Sequence, residues 1–518
     1  MTRITVFDTT LRDGAQMEGI TLSLEDKNEI ISSLDAIGID FIEGGMPASN
    51  PTDRQLFSTR TELKNSKLVA FGSTHKPGTS PEDDAGLRAL KEAETEWVCI
   101  FGKAWDFHVT DVLRITREEN ISLIRDSVAY LVGNGKRVIF DAEHYFDGYA
   151  SDRDYALSVV RAAREAGAEW ITLCDTNGGT LPSDIADATE DTLLEVGDCL
   201  GIHCHNDCDL AVACTLSAVD AGARMVQVTV NGLGERCGNA NMCSVLPDLA
   251  LKMGYEVGAD ITKLTKVSHA VSEIANMTHN SFMPYVGSKA FTHKGGMHID
   301  ALLKDPRTYE HVPPESVGNH RSLLISEMSG KAGIIKKLED MRLEPTDERV
   351  SKILGRIKDL EGHGYQFEAA DASLELLIRR TCGLKDVPFE IPAFRIYIDD
   401  IGDGRTKSEA SIKVVDANGD MEHTASDGDG PVDAMNNALR KALSKFFPEI
   451  DKLRLIDYKV RVLDERAATA APVRVMIRTT DGRDKWTTVG VSTNVIEASL
   501  IALVDSMEYA VSKDRWIE

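Results

Sequence analysis

Eight short β-rich runs, recurring roughly every 30 residues through the first half of the chain, constrain the fold more than anything else in it. They are Ile4–Asp8, Phe41–Gly45, Leu68–Gly72, Trp97–Gly102, Arg137–Glu143, Trp170–Asp175, Gly201–His205 and Met225–Asn231, each ending in polar or glycine residues. Between them lie segments with helix-start signals, such as Ser23-x-x-Asp26 and Thr116-x-x-Glu119 ahead of apolar-periodic stretches. Strand and helix alternating in this way predict an α/β fold, a (β/α)8 TIM barrel over about residues 1–260. A doubly wound sheet shares the alternation, but no G-x-G-x-x-G follows the first strand.

Barrels of this kind keep their chemistry at the carboxyl ends of the strands. The first run leads into Asp8, Arg12, Asp13 and Gln16; the fifth ends in Glu143 and His144; the sixth ends in Asp175-Thr176-Asn177. The seventh carries His203 and His205, which share a strand face about 7 Å apart at the backbone, so both imidazoles can converge on one cation while Cys204 points away. A glycine-rich loop at 231–240 brings Asn239 to the same mouth. One carboxylate, two imidazoles and an amide oxygen make a nitrogen/oxygen site for a divalent metal (Zn, Mn, Mg or Co), with room for substrate oxygens. Thr176 is placed to hold a substrate carboxylate, against the plainer reading of 175–178 as a turn. His75, His108 and His144 read as rim residues, and Arg12-Asp13 taken alone as a rim ion pair. Cys204, Cys208 and Cys214 lack the paired C-x-x-C of a thiolate zinc site, and Cys237 reads as a loop thiol.

A formal net charge of −25 argues against nucleic acid or an anionic membrane as partner. An anionic cofactor then needs locally placed Arg, Lys or helix N-termini. Nine cysteines without a regular framework, no apolar leader before Ile4 and no spanning apolar run together lead us to expect a reduced, cytoplasmic protein.

The pattern changes after about residue 275. Gly287, Gly295, Gly296 and Pro313-Pro314 interrupt it, and helices resume at about 323–340 and 346–360. A dense polar set, His293, His298, Asp300, Tyr309 and His311, lies in this stretch, where a solvated loop is the plainer reading. From about 386 a β-β-α pattern occurs twice: Ser411–Val415 leading to a helix at 432–443, then Val473–Thr479 and Thr488–Ser492 leading to a helix at 494–511. The expected organisation is a catalytic barrel at 1–275, helical linker subdomains at 276–385 and a duplicated α+β regulatory or dimerisation domain at 386–518, with a small-ligand site where its halves meet.

With these residues in view, the chain resembles the metal-dependent acyl-CoA-condensing family that holds isopropylmalate, homocitrate and citramalate synthases. The shared motifs are D-T-T-L-R-D-G at 8–14, H-C-H-N-D at 203–207, N-G-L-G-E-R-C-G-N-A at 231–240, G-G-M-H-I-D at 295–300 and V-G-N-H-R at 317–321, and the likeness runs essentially end to end. The segments at 13–19, 42–53 and 423–434 are most similar to the citramalate synthase branch. Cys237 stands where related lyases carry a reactive thiol, but the loop lacks the lyase-like G-G-C-P and lyases lack the duplicated carboxy-terminal domain. The resemblance implies condensation of acetyl-CoA with pyruvate and thioester hydrolysis, giving (R)-citramalate and CoA for isoleucine synthesis. It implies that Asp13, His203 and His205 hold a divalent metal, with Asn239 beside them. Arg12 would stabilise developing negative charge, and Gln16, Thr176 and Asp300 would join Arg12 and Asp13 on the substrate. Glu143 is the expected base, assisted through water by His298 and Tyr309; in the family the linker histidine reaches a neighbouring protomer's barrel. A homodimer with an isoleucine effector on its carboxy-terminal domain follows. The alternatives are 2-isopropylmalate synthase, which takes 2-oxoisovalerate, and a metal-binding amino-acid sensor without catalysis.

Overall fold

The computed structural model describes residues 2–58, 62–325, 330–384, 388–402, 405–463 and 470–513. The chain divides into two compact units, Met1–Phe291 with His311–Arg321, and Thr292–Glu310 with Ser322–Glu518. The expected boundary at 385/386 lies outside the described residues. No helix among the described residues is long and apolar enough to cross a membrane.

The first unit is the expected barrel. Its strands are β1 (Arg3–Asp8), β2 (Phe41–Gly45), β3 (Lys67–Ser73), β4 (Trp97–Lys103), β5 (Arg137–Glu143), β6 (Trp170–Asp175), β7 (Leu200–Cys204) and β8 (Met225–Val228). Every neighbouring pair is parallel, and β1 closes the ring by pairing with β2 through Phe7↔Phe41 and with β8 through Thr5↔Met225. Two strands end earlier than the sequence suggests. His205 lies just past β7 in an isolated bridge to Asn239, and Val230–Gly232 is a 3-10 turn with Asn231 at φ 60°, a left-handed backbone that stops β8.

Side-chain alternation then sorts the strands into an outer face packed on helices and an inner face. Inside, a lower layer is apolar, built from Phe7, Phe41, Val69, Trp97, Ile139 and Met225. Two residues further along their strands come Glu43, Asp141 and Gln227, all buried, and His203 on β7 is in register with Gln227. The apolar floor supplies the packing, and the polar layer above it supplies the site. Outside, the helix Arg117–Gly133 begins with the predicted capping box, in which Thr116 Oγ accepts from the Glu119 N–H and the Glu119 carboxylate accepts from the Thr116 N–H.

The second unit departs from expectation in two places. Ser322–Leu323 is not helical but pairs in parallel with Thr292–His293, and the helix starts only at Lys331. The carboxy-terminal repeat is β-β-β-α rather than β-β-α. Its first copy is Phe389–Gly402, Arg405–Asp416, Met421–Gly428 and the helix Pro431–Leu443; its second is Arg454–Val462, Val473–Thr480, Lys485–Ser492 and the helix Val495–Ser512. The first strand of each copy, absent from the expected pattern, contains a register shift, between Glu390 and Ala393 and between Leu455 and Asp457; Met421–Gly428 is likewise absent from that pattern. A bulge resets the two-residue alternation by which a strand is read from sequence.

Replacing Thr116 by Ala removes one half of the capping box. It is expected to lower stability by about 1 kcal/mol, seen as an earlier urea midpoint, whereas Glu119→Gln, which keeps an acceptor in place, costs less.

Candidate active site

The mouth of the barrel opens into a cavity of about 300 Å³ lined by Arg12, Asp13, Gln16, Met46, Phe71, Phe101, Asp141, Glu143, Cys174, Thr176, His203, His205, Glu235 and Arg236. At its floor, Asp13, His203 and His205 are buried and their ligand atoms all lie within 4.8 Å of one another. His203 Nε2 faces His205 Nε2 at 3.3 Å and Asp13 Oδ2 at 3.5 Å, and His205 Nε2 lies 3.9 Å from the same oxygen. Asn239 donates through Nδ2 to Asp13 Oδ1 at 3.2 Å and to the Leu233 carbonyl at 3.1 Å. Its own Oδ1 is buried without a partner among the described residues. A buried acceptor left unbonded beside a carboxylate and two facing imidazole nitrogens suits a divalent cation of the N/O-preferring kind.

Arg12 organises the charge. Its Nε donates to Glu43 Oε2 at 2.6 Å, its Nη1 to Asp13 Oδ2 at 2.9 Å, and its guanidinium carbon lies 3.9 Å above the Phe71 ring. Burial opposes its charge, but Glu43 and Asp13 more than offset that, so the guanidinium stays protonated throughout the accessible range. Burial pulls Asp13 toward neutrality, yet Arg12, the two histidines and the Asn239 hydrogen bond hold its carboxyl below the ordinary range. Burial also pushes His203 and His205 down, with Asp13 opposing, which favours the neutral rings a metal requires. Glu43 is pushed up to about 7 by burial, with Arg12 opposing and Asp141 adding to the rise.

Two groups face the cavity from the strand ends. Glu143 pairs with Lys103 through Oε2. The Thr176 hydroxyl oxygen accepts from the His144 N–H at 2.8 Å, which leaves its own hydrogen to donate to a ligand. His144 adopts a left-handed φ of 56° and its Nδ1 lies 3.0 Å from Asp147.

Family models match the chain in three consecutive segments. Residues 3–271 match the HMGL-like model, 285–364 the homocitrate synthase post-HMGL domain-like model, and 368–511 the LeuA allosteric (dimerisation) domain. An (R)-citramalate synthase of Aquifex aeolicus is 50% identical over 99% of this chain and 98% of its own length. One from Geobacter sulfurreducens is 47% identical over 100% and 99%. A probable 2-isopropylmalate synthase of Methanopyrus kandleri is 33% identical over 97% of each. The chain belongs to the HMGL-like family, in its citramalate synthase group. As a member of that group it is a condensing acyltransferase.

In this HMGL-like barrel the cavity brings together Arg12, Asp13, Gln16, Glu143, Thr176, His203 and His205, with Asn239 against Asp13. His298 and Tyr309 belong to the second unit, where their rings stack at 4.0 Å. Asp300 is on the same helix, Gly296–Lys304, in an exposed pair with Lys304 at 2.6 Å. His311 packs on Tyr285 and Phe291 in the first unit, so the polar set of 293–311 is split between units. Sequence reasoning missed Glu43, Asp141, Gln227 and Phe71. A signal existed for the three polar ones: each lies two residues beyond an inward apolar residue near the carboxyl end of its strand.

Asp8, at the end of β1, is fully buried and its carboxyl is pushed up to about 7 by burial, with the Thr10 hydroxyl and N–H opposing. The folded chain therefore keeps a proton that the unfolded chain releases near 3.8, and this group makes stability fall as pH rises between those two values. Asp8→Asn cannot titrate. Its urea midpoint should fall less steeply than the parent's from about pH 4.5 to pH 7, and equal slopes would refute the assignment.

Proposed function

We propose that the protein is an (R)-citramalate synthase, condensing acetyl-CoA with pyruvate and hydrolysing the thioester to give citramalate and free CoA. The observation that carries this reading is identity of 44–50% to five such synthases over nearly the whole chain. The small cavity, narrowed by Phe71, Phe101 and Met46, supports a 2-oxo acid with a short side chain.

Asp13, His203, His205 and Asn239 Oδ1 would hold a divalent metal, Zn, Mn, Mg or Co, which when bound polarises a substrate carbonyl as a Lewis acid. The chain's own groups do the rest. The Thr176 hydroxyl, with Gln16, orients the pyruvate carboxylate. Arg12, its charge fixed by Glu43 and Asp13, stabilises negative charge developing on oxygen. Glu143 takes a methyl proton from acetyl-CoA on Oε1, while Lys103 occupies Oε2. His298 and Tyr309, contributed from the second subunit of a homodimer, assist proton transfer through water, and Asp300 joins the substrate contacts. In this reading residues 1–275 perform the chemistry, 276–385 carry the assisting pair, and 386–518 regulate. The LeuA allosteric (dimerisation) match supports a dimer, as do exposed apolar side chains such as Tyr397, Ile398, Tyr458, Val460 and Val462. Isoleucine is the effector we assign to that domain, consistent with a cytoplasmic enzyme of isoleucine biosynthesis.

The test is thiol release from acetyl-CoA with a divalent metal and each of several 2-oxo acids. Pyruvate should support turnover, a chelator should abolish it, and isoleucine should lower it. Preference for 2-oxoisovalerate would mark a 2-isopropylmalate synthase instead, and no release with any acid would mark a sensor. Glu143→Gln and His298→Ala should each reduce kcat by about 100-fold or more with metal content unchanged; near-parental turnover in both would overturn the proton-transfer roles.

A further inference from the structure

The two facing imidazoles are held differently. His205 Nδ1 is buried without a hydrogen-bond partner among the described residues, whereas His203 Nδ1 lies 2.9 Å from Gln227 Oε1. Gln227 is on β8, in register with His203 on the adjacent β7, and only 1% exposed. Its Nε2 donates to Asp141 Oδ1 at 2.8 Å and to Thr172 Oγ1 at 3.1 Å. With both amide hydrogens engaged by a carboxylate and a hydroxyl on β5 and β6, the amide oxygen has to face His203. An acceptor opposite Nδ1 calls for an N–H there, which in a neutral ring leaves the lone pair on Nε2. That is the nitrogen facing His205 and Asp13.

We infer that Gln227 and Asp141 are positioning residues. The relay from Asp141 through Gln227 to His203 Nδ1 fixes the ring's tautomer and orientation, so that the site presents a metal-ready nitrogen before any cation arrives. This rests on the metal-site reading above and adds to it the device that builds the site. The outward partner of a metal-ligating histidine sets ring orientation and basicity, and losing it weakens metal binding by about 10- to 100-fold. Gln227 is the one such partner among the described residues for either ring, so its removal leaves neither imidazole with an outward hydrogen bond.

Zinc affinity of the full chain, measured without substrates by competition with a chromophoric chelator, tests this. Gln227→Leu should bind zinc about 10- to 100-fold more weakly than the parent. Gln227→Glu combined with Asp141→Asn exchanges the charges but keeps an acceptor toward His203 and an N–H toward position 227, and should recover most of that loss. Parental affinity in a folded Gln227→Leu overturns the inference, as does a double variant as weak as Gln227→Leu. A parent that binds no zinc removes the metal reading and this inference together, which distinguishes the two failures. Independently of how any Gln227 variant folds, nitrogen-15 spectra of the zinc-free, histidine-labelled parent should show His203, assigned by the signals lost in His203→Gln, protonated on Nδ1. Protonation on Nε2 would overturn the relay.

Discussion

The buried guanidinium of Arg12 is the charge on which the barrel mouth depends. It lies against the Phe71 ring, between Glu43 and Asp13, and its field reaches Asp141. Without it, three carboxylates would share a nearly dry space, and burial would drive them toward their neutral forms. With it, Asp13 remains ionised and Glu43 is consumed as its partner. Arg12 therefore does two things at once: it keeps an anionic ligand beside two neutral imidazoles, and it leaves a fixed positive charge facing the cavity. Removing one partner of a buried pair of this kind costs about 3–5 kcal/mol, so the same contact serves stability and chemistry.

That cluster is possible because the barrel interior is layered. The large rings of Phe41 and Trp97, with Val69, Ile139 and Met225, fill the floor and exclude water from below. One step up, the inward positions switch to Glu43, Asp141, Gln227 and His203; Glu43 Oε2 accepts from Arg12, and Gln227 ties His203 to Asp141 and Thr172. A polar layer of this kind is tolerable only when its members are mutually bonded. Among the described residues bonding in this region is incomplete at Glu43 Oε1, beside Arg12, and at Asn239 Oδ1 and His205 Nδ1, on side chains around the candidate metal position.

Much of this could be read in the chain beforehand. The eight strands, the capping boxes at Ser23 and Thr116, and the convergence of Asp13, His203 and His205 follow from local patterns: two-residue alternation, helix-start chemistry, and ligand spacing on a strand. The missed strand at 454–462 shows the limit of such patterns. Its bulge between Leu455 and Asp457 breaks the alternation, and its side chains are mostly exposed within the chain, so no inward stripe marks it. For Glu43 the sequence marks the inward position, two residues beyond Phe41, but not the partner: its role depends on Arg12, which lies 31 residues earlier.

Local patterns in the chain set the repeating strand-helix order, the rim on which ionisable groups collect, and the donor types of the candidate ligands, because each of these depends on neighbours within a few residues. Which partners each group meets, Arg12 with Glu43, His203 with Gln227 and Asn239 with Asp13, is set by the assembled barrel. Those pairings depend on the register between strands far apart in the chain and on closure of the ring through β1 and β8. Register is a property of the assembled sheet, and a shift of one residue in a strand would turn Glu43, His203 or Gln227 to the opposite face.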